Sequence, residues 1–196
     1  MKVGKKVSTI FLFIILVVLL VVWQINRNDH PSMEDLTKIT AENTFKQKDK
    51  EYIVYFWQAT CTYCKEIEKD VLVYSASNPI YVVDMQNEKN VEKWYDWEEH
   101  HKKYDKVIGK VESDKEILKD GINIEDFQQN KMVSWSIEIN DNKEIIATHN
   151  TAYANEKPSN ASELEITGTP TMLKVKDGLL VDYVVGVEES VKMLEK

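Results

Sequence analysis

Cys61 and Cys64 are the residues of this 196-residue chain whose types and spacing point most directly to chemistry. They are its only cysteines, and they lie three positions apart in the stretch YIVYFWQATCTYCK. Two cysteines at this spacing form a redox-active pair, a structural disulfide or half of a metal site. The elements around the pair bear on which of these three interpretations holds.

The elements predicted on either side place the pair where a strand meets a helix. Residues 52–57 and 80–84 are unbroken runs rich in β-branched and aromatic residues, which is typical of strands buried on both faces. Residues 61–73, between these runs, have helical character. A strand, a helix and a strand in this order predict a βαβ unit with Cys61 at the N-terminus of its helix.

That position favours reversible thiol chemistry. The free N–H groups and the dipole at a helix N-terminus stabilise a thiolate and lower its pKa, so Cys61 is the predicted nucleophile. Cys64 lies one turn later on the same helix, where it can attack a mixed disulfide formed on Cys61 and release the bound partner. Cys64 is therefore the predicted resolving thiol, and the two residues form the predicted catalytic pair.

Two segments of the chain resemble thioredoxin. The first, FWQATCTYCKEIEKDVL, is similar to the active-site segment in which Phe-Trp ends a strand ahead of Cys-x-x-Cys-Lys. The second, EITGTPTMLKVKDGLLVDYVVG, resembles the segment that carries a cis-proline before an antiparallel hairpin. The resemblance implies that Pro170 is that cis-proline and that the backbone of Thr169 binds a substrate strand. It also implies substrate contacts from Trp57, Thr62 and Tyr63.

The chain departs from thioredoxin at several positions around the pair. Tyr55 stands six positions before the first cysteine, where thioredoxin commonly has a buried acidic residue. Thr60 stands where thioredoxin often has a second tryptophan, and Thr62-Tyr63 replaces the Gly-Pro dipeptide inside the motif. The redox potential of thioredoxin therefore does not transfer to this chain.

The predicted fold is α/β and thioredoxin-like, with a central mixed sheet flanked by helices. The interval between the cysteine motif and the proline motif is far longer than in thioredoxin, which predicts an insertion within about 86–160, after the second core strand. The other predicted elements are a helix over 32–45, a charged helix over 88–107, a hairpin over 133–148, a hairpin over 171–185 and a final helix over 187–196.

The N-terminus predicts a single-pass membrane anchor over residues 1–25. Three lysines precede an unbroken apolar run from Ile10 to Trp23, which with its flanks is long enough to span a membrane as a helix. No small-x-small cleavage site follows the run, which favours an anchor over a cleaved signal peptide. The lysines favour a cytoplasmic N-terminus, so we expect a linker over 26–31 and one extracytoplasmic domain over 32–196, on a bacterial cell membrane.

The two alternatives to a redox pair are weaker. A disulfide between residues 61 and 64 closes a loop of about four residues and constrains the unfolded chain little. Zinc would need two more ligands, and the four histidines have no spacing typical of a structural zinc site. The adjacent His100 and His101 are expected to be solvated or to pack. Neither a metal nor any other cofactor is predicted.

The charge of the chain limits its partners. It has 25 Lys+Arg against 33 Asp+Glu, a formal net charge of -8, and the part after the anchor lysines is more acidic still. This disfavours nucleic-acid binding by a basic patch. The expected partners are thiols and disulfides of exported proteins, and a membrane redox partner that recharges the pair, since the chain has no third cysteine.

The predicted function is extracytoplasmic thiol-disulfide exchange with exported proteins, leaning towards disulfide formation. Two alternatives stay open. One is reduction of specific client disulfides. The other is a redox-silent protein that uses the fold and the insertion to hold a partner, in a bacteriocin accessory or immunity role. A Cys61→Ser variant separates the last alternative from the other two, because it would abolish exchange and leave binding intact.

Overall fold

The computed structural model describes residues 31–195, together with Val17. The anchor predicted over residues 1–25 and most of the predicted linker lie outside the described residues. Within the described part of the chain, no helix combines the length and the apolar character needed to cross a membrane. The predicted domain over 32–196 falls inside the described range, apart from its last residue.

The central mixed sheet contains five strands, namely β1 Thr37–Ile39, β2 Glu51–Trp57, β3 Ile80–Asp84, β8 Thr171–Lys176 and β9 Leu179–Val185. Their spatial order is β1-β3-β2-β8-β9. Strands β1, β3 and β2 run parallel, whereas β8 and β9 each run antiparallel to their neighbours. The strands predicted over 52–57 and 80–84 and the hairpin predicted over 171–185 are confirmed.

Strand β2 is the middle of this sheet and is buried on both faces from Tyr52 to Trp57. Because side chains alternate along a strand, β2 contributes to two cores. Phe56 packs in the core on one face, together with Leu164 and Ile166 of the segment that precedes Pro170. Tyr55 and Trp57 pack in the core on the other face, beneath the helices.

Residues 31–195 form five α-helices, namely α1 Thr62–Glu66, α2 Glu68–Ser75, α3 Trp97–Tyr104, α4 Ile124–Gln128 and α5 Val187–Leu194. Helices α1 and α2 follow one another with an interruption at Ile67. Ile67 at the interruption, Val71 from α2 and Met193 from α5 pack on the sheet beside Cys64. The helix predicted over 61–73 is therefore present as two pieces, and the final helix is confirmed.

Between β3 and β8 the chain builds a second sheet from strands β4 Lys106–Glu112, β5 Lys115–Leu118, β6 Trp135–Ile139 and β7 Glu144–His149. Its order is β5-β4-β7-β6, and all neighbouring strands are antiparallel. Ile108, Ile145 and Ala147 form a small core with residues of α4, including Phe127. The predicted hairpin over 133–148 corresponds to β6 and β7 and is confirmed.

The helix predicted over 32–45 is wrong. Ser32 begins a 3-10 turn, in which the Asp35 carboxylate accepts the Ser32 N–H at 2.8 Å, but the turn ends at Asp35. Residues Thr37–Ile39 then form β1, which pairs with β3. The edge of β3 offers main-chain hydrogen-bond partners, and this tertiary pairing outweighs a weak helical pattern. Another 3-10 turn, Ala41–Asn43, follows.

The helix predicted over 88–107 is correct only for the part that forms α3. Trp94, upstream of α3, makes a parallel bridge with Ile166, and its backbone is extended there. Asp96 begins α3, because its carboxylate accepts the Glu99 N–H at 2.8 Å. The apolar spacing that predicted one helix therefore spans a 3-10 turn, an extended segment and a helix of two turns.

Candidate active site

Cys61 and Cys64 lie where the sequence predicts, between the end of β2 and the start of α1. Cys61 is the N-cap residue of α1, and its sulfur accepts the Cys64 N–H at 3.1 Å. The Cys61 N–H in turn donates to the Gln58 carbonyl oxygen at 3.2 Å. Both cysteines are free thiols, of which Cys61 is half-buried and Cys64 is buried. Only the first sulfur is open to a substrate.

The Thr169–Pro170 segment closes over this pair. The peptide bond between Thr169 and Pro170 is cis. The thiol of Cys61 donates to the Thr169 carbonyl oxygen at 3.2 Å, across 108 residues of sequence. The Thr169 hydroxyl donates to the Gln58 side-chain oxygen at 3.0 Å. The structure thus brings together the two segments on which the sequence comparison rests, with Gln58 joining them.

The two thiols have opposite acid-base properties. Burial raises the pKa of Cys61, but hydrogen bonds with Cys64, Thr169 and the Tyr63 amide outweigh burial and lower it overall. Burial, together with the hydrogen bond to Cys61, raises the pKa of Cys64 to about 11. Because the thiolate is the reactive form, Cys61 is set up as the attacking sulfur. Cys64 with this raised pKa is protonated near neutral pH.

Tyr55 occupies the position beneath the pair. Its side chain is fully buried, and its hydroxyl has no complete hydrogen bond among the described residues. Burial raises the pKa of the Tyr55 phenol strongly, and an interaction with the Cys64 thiol raises it further. The phenol therefore keeps its proton and can donate a hydrogen bond to the sulfur of Cys64. A carboxylate at the same position would accept a proton instead.

The other residues implied by the resemblance lie around the pair at different depths. Thr62 and Tyr63 are exposed in the first turn of α1, and Tyr63 has 61% of its surface accessible. Trp57 is only 6% accessible and packs beside Cys64 in the core. Tyr63 is therefore well placed to touch a substrate, whereas Trp57 mainly supports the pair from below.

Sequence reasoning missed a hydrogen-bonded ring of side chains that joins α3 to β7 around two buried histidines. It contains Tyr95, His100, His149 and Tyr153, and we call it the histidine-tyrosine ring. His100 Nε2 lies 2.8 Å from His149 Nδ1, and both histidines are only 3% accessible. His100 and His149 are 49 residues apart in sequence, so no local pattern pairs them. The expectation that His100 packs holds, but its partners were not foreseen.

Four contacts close the ring. The Tyr153 N–H donates to the Tyr95 hydroxyl at 3.2 Å, and that hydroxyl lies 2.7 Å from His100 Nδ1. His100 Nε2 lies 2.8 Å from His149 Nδ1, and His149 Nε2 lies 3.2 Å from the Tyr153 hydroxyl. Each histidine therefore uses both of its ring nitrogens in contacts within the ring.

The ring is linked to the segment that leads into Pro170. The Tyr95 N–H donates to the Ile166 carbonyl oxygen at 3.0 Å. Trp97 lies against the His100 ring, and its indole N–H donates to the Thr167 carbonyl oxygen at 2.9 Å. The chain at the start of α3 therefore holds the backbone at Ile166 and Thr167, which leads into Thr169. Within residues 31–195, no group of three or more potential ligands is placed to hold a metal ion.

The chain belongs to the family of thioredoxin-like domains, because the model of that family matches residues 40–196. The match covers four of the five strands of the central sheet, the second sheet and the cysteine pair, whereas β1 lies before it. No curated protein sequence matches the chain.

Similar solved structures include thioredoxins of low identity. Thioredoxin f2 from Chlamydomonas reinhardtii is 12% identical over 81% of this chain and 90% of that chain, with a TM-score of 0.38. Mitochondrial thioredoxin 3 from Saccharomyces cerevisiae, in its oxidised form, is 15% identical over 83% of this chain and 92% of that chain, with a TM-score of 0.37. At these TM-scores the structures add nothing to the family assignment.

Proposed function

We propose that this protein is a thiol-disulfide oxidoreductase that exchanges disulfides with exported proteins through Cys61 and Cys64. The observation that supports the proposal is that the two cysteines differ in exposure and in pKa. Cys61 is half-exposed, has a lowered pKa and donates to the Thr169 carbonyl oxygen, whereas Cys64 is buried and has a raised pKa. A structural disulfide needs no such difference between its two sulfurs.

The exchange proceeds through a mixed disulfide on Cys61 in either direction. In reduction, the Cys61 thiolate attacks a substrate disulfide, and one substrate thiolate leaves. The Cys64 thiolate then attacks the Cys61 sulfur, which releases the second substrate thiolate and leaves a Cys61–Cys64 disulfide. In oxidation the same steps run backwards, so two substrate thiols become a disulfide while the enzyme pair is reduced.

The direction we propose is disulfide formation. Hydrogen bonds that stabilise the Cys61 thiolate favour the reduced form of the pair, and a stabilised reduced form makes the disulfide form a stronger oxidant. The proposed site of action is the extracytoplasmic face of a cell membrane, with residues 1–25 as the anchor. A membrane redox partner would reoxidise the pair after each cycle, because the chain has no third cysteine.

The redox equilibrium of the full-length chain in detergent tests this proposal. The protein is equilibrated in glutathione buffers of graded composition, and its free thiols are alkylated and counted by mass spectrometry. A reversible two-electron transition near about -120 mV would support a disulfide donor, and one near about -270 mV would instead support a reductase. A Cys61→Ser variant should show no transition.

A binding role makes a different prediction in the same experiment. The four-stranded second sheet adds surface that exchange at Cys61 does not need, which is the observation that favours this second candidate. If the wild-type pair shows no reversible transition and Cys61→Ser leaves the protein's cellular function intact, exchange is excluded and the redox-silent alternative holds.

A further inference from the structure

A groove runs along the outer edge of β9, opposite the chain segment 150–159 that leads from the second sheet back to the central sheet. Strand β9 ends the central sheet, and β8 is its one strand neighbour among the described residues. The groove consists of two cavities, with volumes of about 550 Å³ and about 230 Å³. Glu156 and Tyr183 line both, so the two cavities adjoin.

The groove continues from the candidate active site. The smaller cavity is lined by Thr167, two residues before the Thr169 carbonyl oxygen that faces Cys61. It is also lined by Val185, and the next residue, Gly186, donates its N–H to the Pro170 carbonyl oxygen at 2.8 Å. The smaller cavity therefore lies within a few residues of the candidate active site along both of these segments.

The smaller cavity has the chemistry to recognise a cation. Glu156 is the one charged residue that lines it, and Trp97 and Tyr183 contribute two aromatic rings. Glu156 is exposed and forms no ion pair within the described part of the chain. A carboxylate beside aromatic faces suits the ammonium group of lysine or the guanidinium group of arginine.

The groove is better suited to side chains than to an added strand. The Tyr183 N–H already donates to the Asp182 carboxylate at 3.0 Å, so a main-chain donor of β9 is occupied. The register of β8 and β9 also shifts between Lys174 and Val175, and such bulges discourage pairing at a sheet edge. Exposed Leu179 and Val181 give the larger part of the groove an apolar floor.

We propose that this groove binds an extended segment of the substrate polypeptide, and that its smaller cavity takes a lysine or arginine side chain near the reacting cysteine. The inference rests on the proposed exchange function and adds a substrate preference to it. The acidic character of the chain favours the same kind of partner, since a net charge of -8 attracts basic segments. Segment 150–159 forms one wall of the groove and follows β7 directly, so the second sheet fixes one end of that wall.

Single-turnover exchange with synthetic disulfides tests this preference. The reduced full-length chain is mixed with peptides that carry one cysteine as a disulfide with 2-mercaptoethanol. One arginine is moved through the four positions on each side of the cysteine, and a matched series carries citrulline, its neutral isostere. At one or two positions, we expect the arginine peptide to react about tenfold faster than the citrulline peptide.

Variants assign the preference to Glu156. Glu156→Gln should bring the arginine-to-citrulline ratio close to one, and Glu156→Lys should make a glutamate peptide the faster substrate. Glu116→Gln makes the same charge change at an exposed position on β5 outside the groove, and it should keep the tenfold ratio. Ratios below about twofold at every position, or an unchanged ratio in Glu156→Gln, would overturn the proposed groove.

A small neutral disulfide separates this result from a failure of the exchange function. Hydroxyethyl disulfide reaches Cys61 without filling the groove, so wild-type, Glu156→Gln and Glu116→Gln proteins should react with it at equal rates. If the wild-type protein reacts with neither this compound nor any peptide, exchange itself is overturned. If it reacts with all of them, and the arginine and citrulline peptides react at equal rates, only the proposed groove is overturned.

Discussion

The Cys61 thiol donates to the Thr169 carbonyl oxygen at 3.2 Å, which places the reactive sulfur directly against the segment that precedes Pro170. When Cys61 loses its proton, this donor disappears and the carbonyl oxygen becomes available to another hydrogen bond. The N–H of a bound polypeptide would be a suitable donor. Ionisation of the nucleophile and exposure of a main-chain binding group are thus one event at this site.

The difference in pKa between the two thiols predicts their order of reaction with an alkylating agent. With a pKa of about 11, the Cys64 thiol is ionised at pH 7 only to about one part in ten thousand. The pKa of Cys61 is lowered from 9.0, so more than about one part in a hundred of that thiol is ionised. Iodoacetamide should therefore modify Cys61 at least about a hundredfold faster than Cys64. Peptide mapping of the reduced protein measures this, and labelling of Cys64 first would contradict it.

Tyr55→Phe should slow the resolving step without weakening the fold. The variant removes a buried hydroxyl that has no complete hydrogen bond, so the free energy of unfolding should change by less than about 1 kcal/mol. Cys64 would lose a donor that lowers its pKa, and attack on the mixed disulfide should slow by about fivefold. Acid-quenched reaction mixtures would show the mixed disulfide accumulating.

Tyr52→Phe is the matched control for that experiment, because Tyr52 is buried in the same strand on the opposite face. Its hydroxyl donates to the Thr44 carbonyl oxygen at 2.9 Å. Loss of this bond should lower the free energy of unfolding by about 1 kcal/mol and leave the resolving step unchanged. Equal slowing in both variants would show that Tyr55 has no special role.

The histidine-tyrosine ring predicts acid sensitivity. Burial lowers the pKa of His100, and His149 and His101 lower it further. Above about pH 6.5, His100 is neutral in the folded and unfolded states, and the ring contributes its full stability. As the pH falls below that value, the unfolded chain binds a proton that the folded chain does not. The free energy of unfolding should then decrease by up to about 1.4 kcal/mol per pH unit.

Chemical denaturation between pH 5 and pH 8 would measure this slope. Three charged or titratable groups act on the pKa of His100, namely His149, His101 and Asp105. The tyrosines Tyr95, Tyr104 and Tyr153 also face its ring. His100→Gln should flatten the slope, because glutamine takes up no proton. His101→Gln should keep most of it, since burial and His149 lower the pKa of His100 more than His101 does.

Gly109→Ala should destabilise the second sheet selectively. A Cβ atom at Gly109 would lie 2.6 Å from the Ile117 carbonyl oxygen and 3.1 Å from the Leu118 Cα, and both are backbone atoms that cannot turn aside. We expect a loss of about 2 kcal/mol, seen as faster amide exchange in β4 and β5. Gly168→Ala meets nothing within 4 Å and should leave the free energy of unfolding nearly unchanged.

The parts of the fold that depend on local sequence were predictable. Residues 52–57 and 80–84 are continuous apolar strands, and Lys-Asp-Gly marks the turn between β8 and β9, so each element is encoded by neighbouring residues. The site followed from the two motifs. Their direct contact through Cys61 and Thr169 needed only the resemblance to thioredoxin.

The parts that depend on distant partners were not predictable. Strand β1 forms because the edge of β3 is available, and Trp94 is extended because Ile166 lies beside it. His100 finds its partner His149 only after β7 has packed against α3. In each case the deciding contact joins residues far apart in sequence, which no periodic pattern can show.

The antiparallel pairing of β2 with β8 also determines when the central sheet can be completed during synthesis of the chain. Strand β2 leaves the ribosome more than a hundred residues before β8, which at about 5–20 residues per second is a delay of roughly 6–23 seconds. During that time the cysteine pair stands on an unfinished sheet, and the buried face around Cys64 lacks its cover from Met172. Until β8 pairs with β2, the Cys64 thiol therefore lacks the burial that protects it in the finished fold.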